Sequence, residues 1–374
     1  MQNKLKKKLF STIFATIFSS IAISAHAQSS VTLYGRLDNG VEYMHGVSNA
    51  QGQSTSRVRA QSGDWGTAML GLEGTEDLGG GTRAIFKLES GLNTAVGTAG
   101  NPSTGQYFQR YALLGLTNDT YGTFQAGRSL FISNGVWDFD PFVQQAWSSA
   151  SLVRGRSWFQ ASNTLNYKTP TINGFDLAGQ YALTNNPNFN QGTASSAPFG
   201  RSDGLQLTYT APNFMARVIY DELRDGQNGK FDDLYNYSRE VFVGGRVNLG
   251  AFKIQAAYTH MSAPAAVAGA PTQADHEWLG LTYQANPFVA VTVGGFHINA
   301  NNGAGNATMY EAGGTYALSK RTLLYLTGAL VRNSAKGNFS LEATAQNTPG
   351  AANPENPLPG HSQSDLYAGI NHAF

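Results

Sequence analysis

The chain has 374 residues, of which 13% are charged and 11% aromatic; 43 are glycine and none is cysteine. Its 25 basic and 24 acidic residues give a formal net charge of +1, so neither a polyanionic nor a polycationic partner is indicated, and nucleic acid has no basic stripe to bind. The lack of cysteine excludes a disulfide scaffold and a thiolate zinc site. Stability must therefore come from a large sheet or core.

The first residues have the pattern of a secretory signal. Four lysines precede an apolar stretch from Leu9 to Ile23, which Ala25-His26-Ala27 follows as an A-x-A cleavage site. We expect residues 1–27 to be a cleaved signal peptide and the protein to be exported. An uncleaved membrane helix is the alternative, but the apolar run is short and contains several serines and threonines.

The rest of the chain alternates apolar and polar residues with a period of two, which is typical of half-buried strands. No stretch after the signal approaches twenty apolar residues, so only a closed barrel could cross a membrane. We predict an all-β fold: a transmembrane antiparallel β-barrel of 16 strands forming one domain, residues 28–374. The predicted strands are 30–45, 66–75, 82–94, 108–117, 122–129, 162–169, 174–184, 204–210, 213–222, 240–248, 251–260, 276–285, 288–297, 308–317, 321–331 and 363–374.

The connections alternate between short and long. The short ones include "TAPNF", "NLGAF" and "LSKR", whereas the long ones are polar and glycine-rich and include 46–65, 130–161 and 332–362. This segregation is typical of outer-membrane barrels, with short periplasmic turns and long extracellular loops.

The last segment, "SDLYAGINHAF", keeps the two-residue rhythm up to Phe374. Since a closed barrel has no free edge, we expect this strand to pair with the first one. Phe374 would then lie in the periplasmic aromatic girdle. We also assign to outward faces or girdles Leu113, Phe124, Tyr220, Tyr258, Tyr283, Tyr316 and Tyr325.

Four segments carry a family resemblance: "SSVTLYGRLDNGVEY", "LGLEGTEDLGGGTRAIFKLESGLN", "RYALLGLTNDTYGTFQAGRS" and "AGINHAF". Together they resemble the general trimeric porins of Gram-negative bacteria, in particular those of β-proteobacteria. The resemblance implies a homotrimer in the cell outer membrane, surrounded by lipid and lipopolysaccharide, through which small hydrophilic solutes and ions diffuse passively. It also implies that Phe374 is a signal to the barrel assembly machinery, and that Arg128 lies near the trimer interface.

Porins fold the loop after the fifth strand into the barrel, and here that loop is 130–161. It holds Asp138 and Asp140, with aromatic residues to wedge it and Pro141 to stiffen it. The two acids are expected at the pore constriction, where charged side chains filter ions. A calcium loop is an alternative, but the other oxygen ligands and the loop glycine are missing. A plain solvated loop is a second alternative.

The resemblance places basic residues on the wall opposite these acids. Arg36 and Arg110 match wall positions of the family, while Arg154 and Arg156 lie where the loop returns. Many relatives carry an arginine where this chain has Met69, so we expect charge selectivity to be weak, with less anion preference than in arginine-rich relatives or a mild cation preference. The loop 95–107, which would latch a neighbouring subunit at Arg128, offers no acidic partner.

Three other functions are alternatives to a general porin. A barrel enzyme would need a nucleophile oriented by a base, and no G-x-S-x-G or H-E-x-x-H motif occurs. A substrate-specific channel would show ladders of aromatic or charged residues, whereas the aromatics here are dispersed. An adhesin acting through its loops is compatible with a pore. No catalytic residue, cofactor or metal site is expected.

Overall fold

The computed structural model describes residues 29–49, 51–101, 105–143, 145–183, 201–343 and 356–374. These ranges form a closed antiparallel β-barrel of 16 strands. Within them, no helix has both the length and the apolar character needed to cross a membrane. The predicted signal, residues 1–27, lies outside the described residues.

The strands follow the predicted boundaries closely. In chain order they are β1 Ser30–Ser48, β2 Ser54–Ser62, β3 Met69–Gly79, β4 Thr82–Asn93, β5 Thr98–Ala99, β6 Tyr111–Asn118, β7 Gly122–Leu130, β8 Gln160–Lys168, β9 Phe175–Ala182, β10 Ser202–Ala211, β11 Phe214–Leu223, β12 Arg239–Leu249, β13 Phe252–Ser262, β14 Gln273–Gln284, β15 Val289–Ala300, β16 Gly305–Ala317, β17 Thr322–Asn333 and β18 Gln363–Ala373. Strands β2 and β3 together make one barrel strand, and β5 is a short addition in a loop, which leaves 16 strands in the wall.

The barrel closes between its first and last strands. β1 and β18 pair from Arg36↔Ala373 to His45↔Ser364. At the end of this seam Phe374 N–H donates to the Gly35 carbonyl (3.1 Å), and Gly35 N–H donates to the Phe374 carbonyl (3.2 Å). The backbone groups at the terminus are thus satisfied within the sheet, as a membrane-spanning wall requires.

The second barrel strand is interrupted, and here the sequence prediction was wrong in part. Residues 54–62 were assigned to a long loop, yet they form β2 and pair with the outer half of β1. The segment 63–68 then leaves the sheet before β3 pairs with the inner half of β1. The alternation was hidden because the inward positions are Arg57 and Arg59, while the outward apolar residues are limited to Val58 (69% exposed) and the small Ala60.

The outer face of the wall is apolar along its length. Side chains such as Leu33, Leu114, Leu205 and Val243 are well exposed, as expected where lipid replaces water. Most of the predicted girdle tyrosines share this face, but two assignments were wrong. Tyr325 (4% exposed) points inward, stacks on Tyr367 with ring centroids 5.4 Å apart and donates to Asp38 Oδ1 (2.8 Å). Leu113 is also inward and buried; its neighbour Leu114 is the exposed one.

The closing seam requires glycine at Gly40, which pairs with Gly369 across β1 and β18. A Cβ at Gly40 would lie 2.7 Å from Gly369 Cα and 2.7 Å from the Tyr367 ring. Overpacking of this kind costs about 1–3 kcal/mol. We expect Gly40→Ala to lower the temperature at which the barrel loses its compact, heat-modifiable mobility in gel electrophoresis.

The matched control is Gly295→Ala in β15, where an added Cβ would meet no atom within 4 Å. Equal behaviour of the two variants would contradict the tight seam.

Candidate pore constriction

The loop between β7 and β8, residues 131–159, folds into the barrel and packs on the inner wall. It contains a 3-10 helix at Ile132–Phe139, an α-helical turn at Ser149–Leu152 and a second 3-10 turn at Arg156–Trp158. We call it the inner loop. Phe139 packs against Phe242 of β12, and Trp278 of β14 donates its indole N–H to the Phe139 carbonyl (2.8 Å). Aromatic packing and one buried hydrogen bond therefore fix the middle of the loop.

Wall residues also satisfy the backbone of the inner loop. Gln255 Nε2 donates to the carbonyls of Asp138 (3.1 Å) and Asp140 (2.9 Å). Beside it, Pro141 lies so close to Gly280 of β14 that a Cβ there would overlap its ring. Glycine in the wall allows the loop backbone to approach the sheet.

The far end of the inner loop reaches the interruption in the second barrel strand. Ala146 N–H donates to the Asp64 carbonyl (2.9 Å), and Ser151 Oγ donates to the Leu341 carbonyl (2.5 Å) in the loop after β17. Near its start, Ile132 N–H donates to Gln180 Oε1 of β9 (2.8 Å). The loop therefore contacts well-separated parts of the wall and crosses the interior.

Asp140 does not line the lumen, which corrects the sequence assignment. Its side chain is fully buried, where Oδ1 accepts from Phe142 N–H (2.8 Å) and Oδ2 from Ser149 N–H (2.6 Å). Burial raises the pKa of Asp140 to about 6, although these hydrogen bonds oppose the shift. Asp140 holds the inner loop in shape.

Arg156 anchors the inner loop rather than lining the lumen, and Arg154 is held by contacts with the loop after β17. Arg156 is buried, forms an ion pair with Asp221 of β11 and donates to Ser238 Oγ (3.0 Å). Arg154 donates to Asn338 Oδ1 (3.0 Å), and its guanidinium lies over the ring of Phe339. The sequence could not distinguish these roles, since both partners lie far along the chain.

Asp138 is the acid of the inner loop that stays accessible. Its side chain is 47% exposed, and its Oδ2 lies 2.6 Å from Arg217 Nη1 of β11. Arg217 also donates to the Gly135 carbonyl (2.7 Å), and its guanidinium lies over the Phe139 ring. The exposed carboxylate is therefore partly neutralised by a wall cation.

A basic patch on the wall is formed by Arg36 of β1, Lys87 of β4 and Arg110, which immediately precedes β6. The guanidinium of Arg36 is half-buried and donates to the Thr67 carbonyl from Nη2 (2.9 Å) and Nε (3.1 Å). Arg110 is largely buried and forms an ion pair with Glu89 (2.6 Å). Lys87 lies over the ring of Tyr111 at 4.5 Å, and its Nζ is 3.8 Å from Glu89.

The inner loop and the wall face each other across a narrow space. A cavity of about 140 Å³ lies between Trp137 and Trp158 of the loop and four wall residues, Thr67, Gln109, Arg110 and Gln160. Arg110 therefore borders the same gap as the loop. The structure thus brings Arg110 to the face opposite the loop, with Arg36 bonded to the neighbouring Thr67.

Lys87 and Arg217 were missed by the sequence reasoning. The signal was available, because Arg217 shares the inward parity of Ile219 while the exposed Val218 and Tyr220 have the other parity. Lys87 likewise lies in register with Leu113, which is inward. If one exposed apolar residue of each strand is assigned to the outer face, the period of two places Lys87 and Arg217 on the inner face.

Arg128 and Phe374 lie at the outer boundary of the barrel wall. Arg128 is half-buried and donates within its own chain, to the Gln109 carbonyl (2.5 Å) and to Ser162 Oγ (2.5 Å). Phe374 is 37% exposed beside Gly35. Their predicted roles, at a trimer interface and as an assembly signal, remain predictions.

Comparison with known proteins agrees with this architecture. The family model described as Gram-negative porin matches residues 12–372. The outer membrane porin protein 32 of Delftia acidovorans is 28% identical over 363 residues, covering 94% of this chain and 96% of that protein. An outer membrane porin protein of Bordetella pertussis is 27% identical over 371 residues, covering 83% of this chain and 91% of that protein.

Solved structures show the same fold. An anion-selective porin from Comamonas acidovorans superimposes with a TM-score of 0.77 at 24% identity, covering 92% of this chain and all of that one. The trimer form of OmpT from Vibrio cholerae gives a TM-score of 0.62 at 13% identity, covering 92% and 99%. A family match over nearly the whole chain and a closed barrel with an inward-folded loop lead to one conclusion: this chain belongs to the Gram-negative porin family and is an outer-membrane porin that forms a channel for passive diffusion.

Proposed function

We propose that the channel is a general one for small hydrophilic solutes and ions, with its narrowest point between the inner loop and the wall at Arg110. The observation that carries this is the cavity between Trp137, Trp158 and Arg110, bordered by glutamine and threonine. The inward rings Tyr34 and Tyr111 flank Glu89 in one row of the sheet. A substrate-specific channel would have a series of aromatic or charged residues along the lumen. A single row of this kind therefore favours a general channel.

We further propose that selectivity is weak and favours anions. Arg36, Lys87 and Arg110 lie on the wall near the gap, and Lys87 and Arg110 share one acid, Glu89, whereas the accessible acid Asp138 is paired with Arg217. Charges lining a pore bias the ions that enter it. The Comamonas acidovorans porin of the same fold is described as anion-selective, which supports this sign.

The proposal also covers the assembly and export of the barrel. The barrel is expected to be a homotrimer in the outer membrane, with Arg128 near the interface and Phe374 recognised during assembly, after removal of residues 1–27. OmpT, which shares the fold, is described in a trimer form. Gel mobility of the unheated protein, with cross-linking in detergent, tests the trimer; a species of single-chain size only would contradict it.

A catalytic role is not proposed. His45 Nδ1 lies 2.8 Å from Ser56 Oγ at the exposed mouth of the barrel, a contact that could suggest a base and a nucleophile. Within the described ranges, no carboxylate bonds the other ring nitrogen of His45, so the orienting third group that such a site needs is missing.

The overall proposal is tested by planar-bilayer recording of single insertions in KCl with a range of added sugars. Flux should rise linearly with solute concentration. Saturation by one solute at low concentration would instead favour a substrate-specific channel.

Variants of Asp138 and Arg217 are expected to shift ion selectivity in opposite directions. Asp138→Asn releases Arg217 into the pore and should shift the zero-current potential towards anions, while Arg217→Gln should shift it towards cations. Because a unit charge in a solvated site acts on an ion with about 1 kcal/mol or less, the permeability ratio should change by about two- to fivefold.

Asp119→Asn is the control for this experiment. It removes the same charge from a turn where the carboxylate is 77% exposed and paired with Arg83. If Asp119→Asn shifts the potential as much as Asp138→Asn does, Asp138 does not act at the constriction.

Asp140 gives a prediction about the stability of the inner loop. Asp140→Ala leaves two buried N–H groups without their acceptor, at a cost of about 1–3 kcal/mol each, and should increase open-channel noise. Asp140→Asn keeps one acceptor and should be milder.

The raised pKa of Asp140 sets the pH dependence of that loop. Since the folded-state pKa, about 6, exceeds the ordinary value of 3.8, the contribution of Asp140 to stability is greatest below pH 4 and is lost as the pH rises through 6. Asp140→Asn should flatten the wild-type dependence of thermal unfolding between these values; an unchanged profile would contradict the assignment.

A further inference from the structure

Three carboxylates far apart in the chain meet on the extracellular side of the closing seam. Glu42 lies on β1, Asp365 at the start of β18, and Glu342 in the loop after β17. Each offers an oxygen within 4.8 Å of oxygens from the other two. Met44, two residues from Glu42, is the register partner of Asp365, which places both acids on the inward face of the same seam.

All three side chains are buried. Glu42 is 0%, Asp365 5% and Glu342 7% exposed. Burying a carboxylate is costly unless it is paired with a cation or fully hydrogen-bonded. Three such groups in contact therefore require compensation from positive charge.

Two arginines from β2 supply part of that charge. Arg59 Nε lies 2.6 Å from Glu42 Oε2, and its Nη2 lies 2.5 Å from Glu342 Oε1. Arg57 lies 3.1 Å from Glu42 and 3.4 Å from Glu342. Both guanidiniums thus form ion pairs with Glu42 and Glu342.

Asp365 is left out of these pairings. Neither of its carboxylate oxygens has a hydrogen-bond partner within the described part of the chain, although the side chain is about 95% buried. Its carboxylate is directed at those of Glu42 and Glu342. An orphaned buried carboxylate of this kind is rare in native proteins and needs a ligand or a proton.

A fourth acid extends the cluster. Gln61 Nε2 donates to Asp64 Oδ1 (2.5 Å) and lies 3.4 Å from Glu342 Oε1, which links Asp64 to the three. Four carboxylates against the two guanidiniums of Arg57 and Arg59 leave a formal excess of two negative charges. One divalent cation would balance it.

We propose that Glu42, Glu342 and Asp365 bind a divalent cation, with Ca²⁺ as the species that fits best. The donors are all carboxylate oxygens, which hard cations prefer, and neither histidine nor cysteine belongs to the set. Ca²⁺ also tolerates an irregular oxygen shell better than Mg²⁺ does. No motif spacing indicates the site, because Glu42 lies 300 residues before Glu342 and Asp365 follows 23 residues later.

The site would fasten the loop after β17 to the barrel wall. Glu342 belongs to that loop, while Glu42 and Asp365 belong to the two strands that close the barrel. The same loop segment accepts a hydrogen bond from the inner loop at the Leu341 carbonyl. Cation binding would therefore order the extracellular mouth and stabilise the support of the inner loop.

The test uses the full barrel, refolded in lipid-free detergent and freed of metal with EDTA. Isothermal titration with CaCl₂ should find one site per chain, and Ca²⁺ should raise the temperature of thermal unfolding. Asp365→Asn and Glu342→Gln should each weaken binding at least tenfold and remove the thermal shift. Mg²⁺ should bind more weakly than Ca²⁺.

Asp275→Asn is the matched control, since it alters an exposed carboxylate at the extracellular end of β14. It should bind Ca²⁺ like the wild type. Folding of each variant is checked by heat-modifiable mobility, and Asp365→Asn is expected to fold because it removes an uncompensated buried charge. No Ca²⁺ binding by the wild type, or equal binding by Asp365→Asn and Asp275→Asn, would overturn the proposal in favour of a shared proton within the cluster.

Discussion

Backbone hydrogen bonding in hydrocarbon is the constraint on which this structure depends. Every N–H and C=O group in the wall must find a partner inside the protein, so the sheet has to close on itself. The seam between β1 and β18 meets that demand, and it brings together residues from the two ends of the chain. Tyr325 bonding to Asp38 and the acid cluster at Glu42 both exist only because of this closure.

Closure also decides which side chains face the lumen, and this part was largely predictable. With a period of two, one exposed apolar residue sets the parity of a whole strand. The predicted strands and the short turns therefore agree with the structure almost throughout. The errors occurred where parity was obscured, as in β2, where Arg57 and Arg59 took the inward positions, or where an aromatic residue faced inward, as Tyr325 does.

The inner loop was less predictable, for a physical reason. Its position was expected, but the roles of its charges depend on wall partners that local sequence does not reveal. Asp138 and Asp140 are two residues apart, yet one is open to water and the other is enclosed by backbone donors. The sequence position of Arg156 indicates a pore charge, but in the structure Arg156 forms an ion pair with Asp221 of β11. A one-dimensional pattern identifies charged residues near a pore, whereas burial decides which of them act on ions.

The inner loop has a mechanical consequence as well. A cylinder made of a single sheet resists stretching around its circumference but bends easily into an ellipse. The loop is attached near Gln180 on one side and at Asp64 on another, so it acts as a chord across the ring. Flattening the barrel along that chord would compress packed side chains and hydrogen bonds rather than simply bend the sheet. The element that narrows the channel thus also stiffens its cross-section against lateral pressure from the surrounding bilayer.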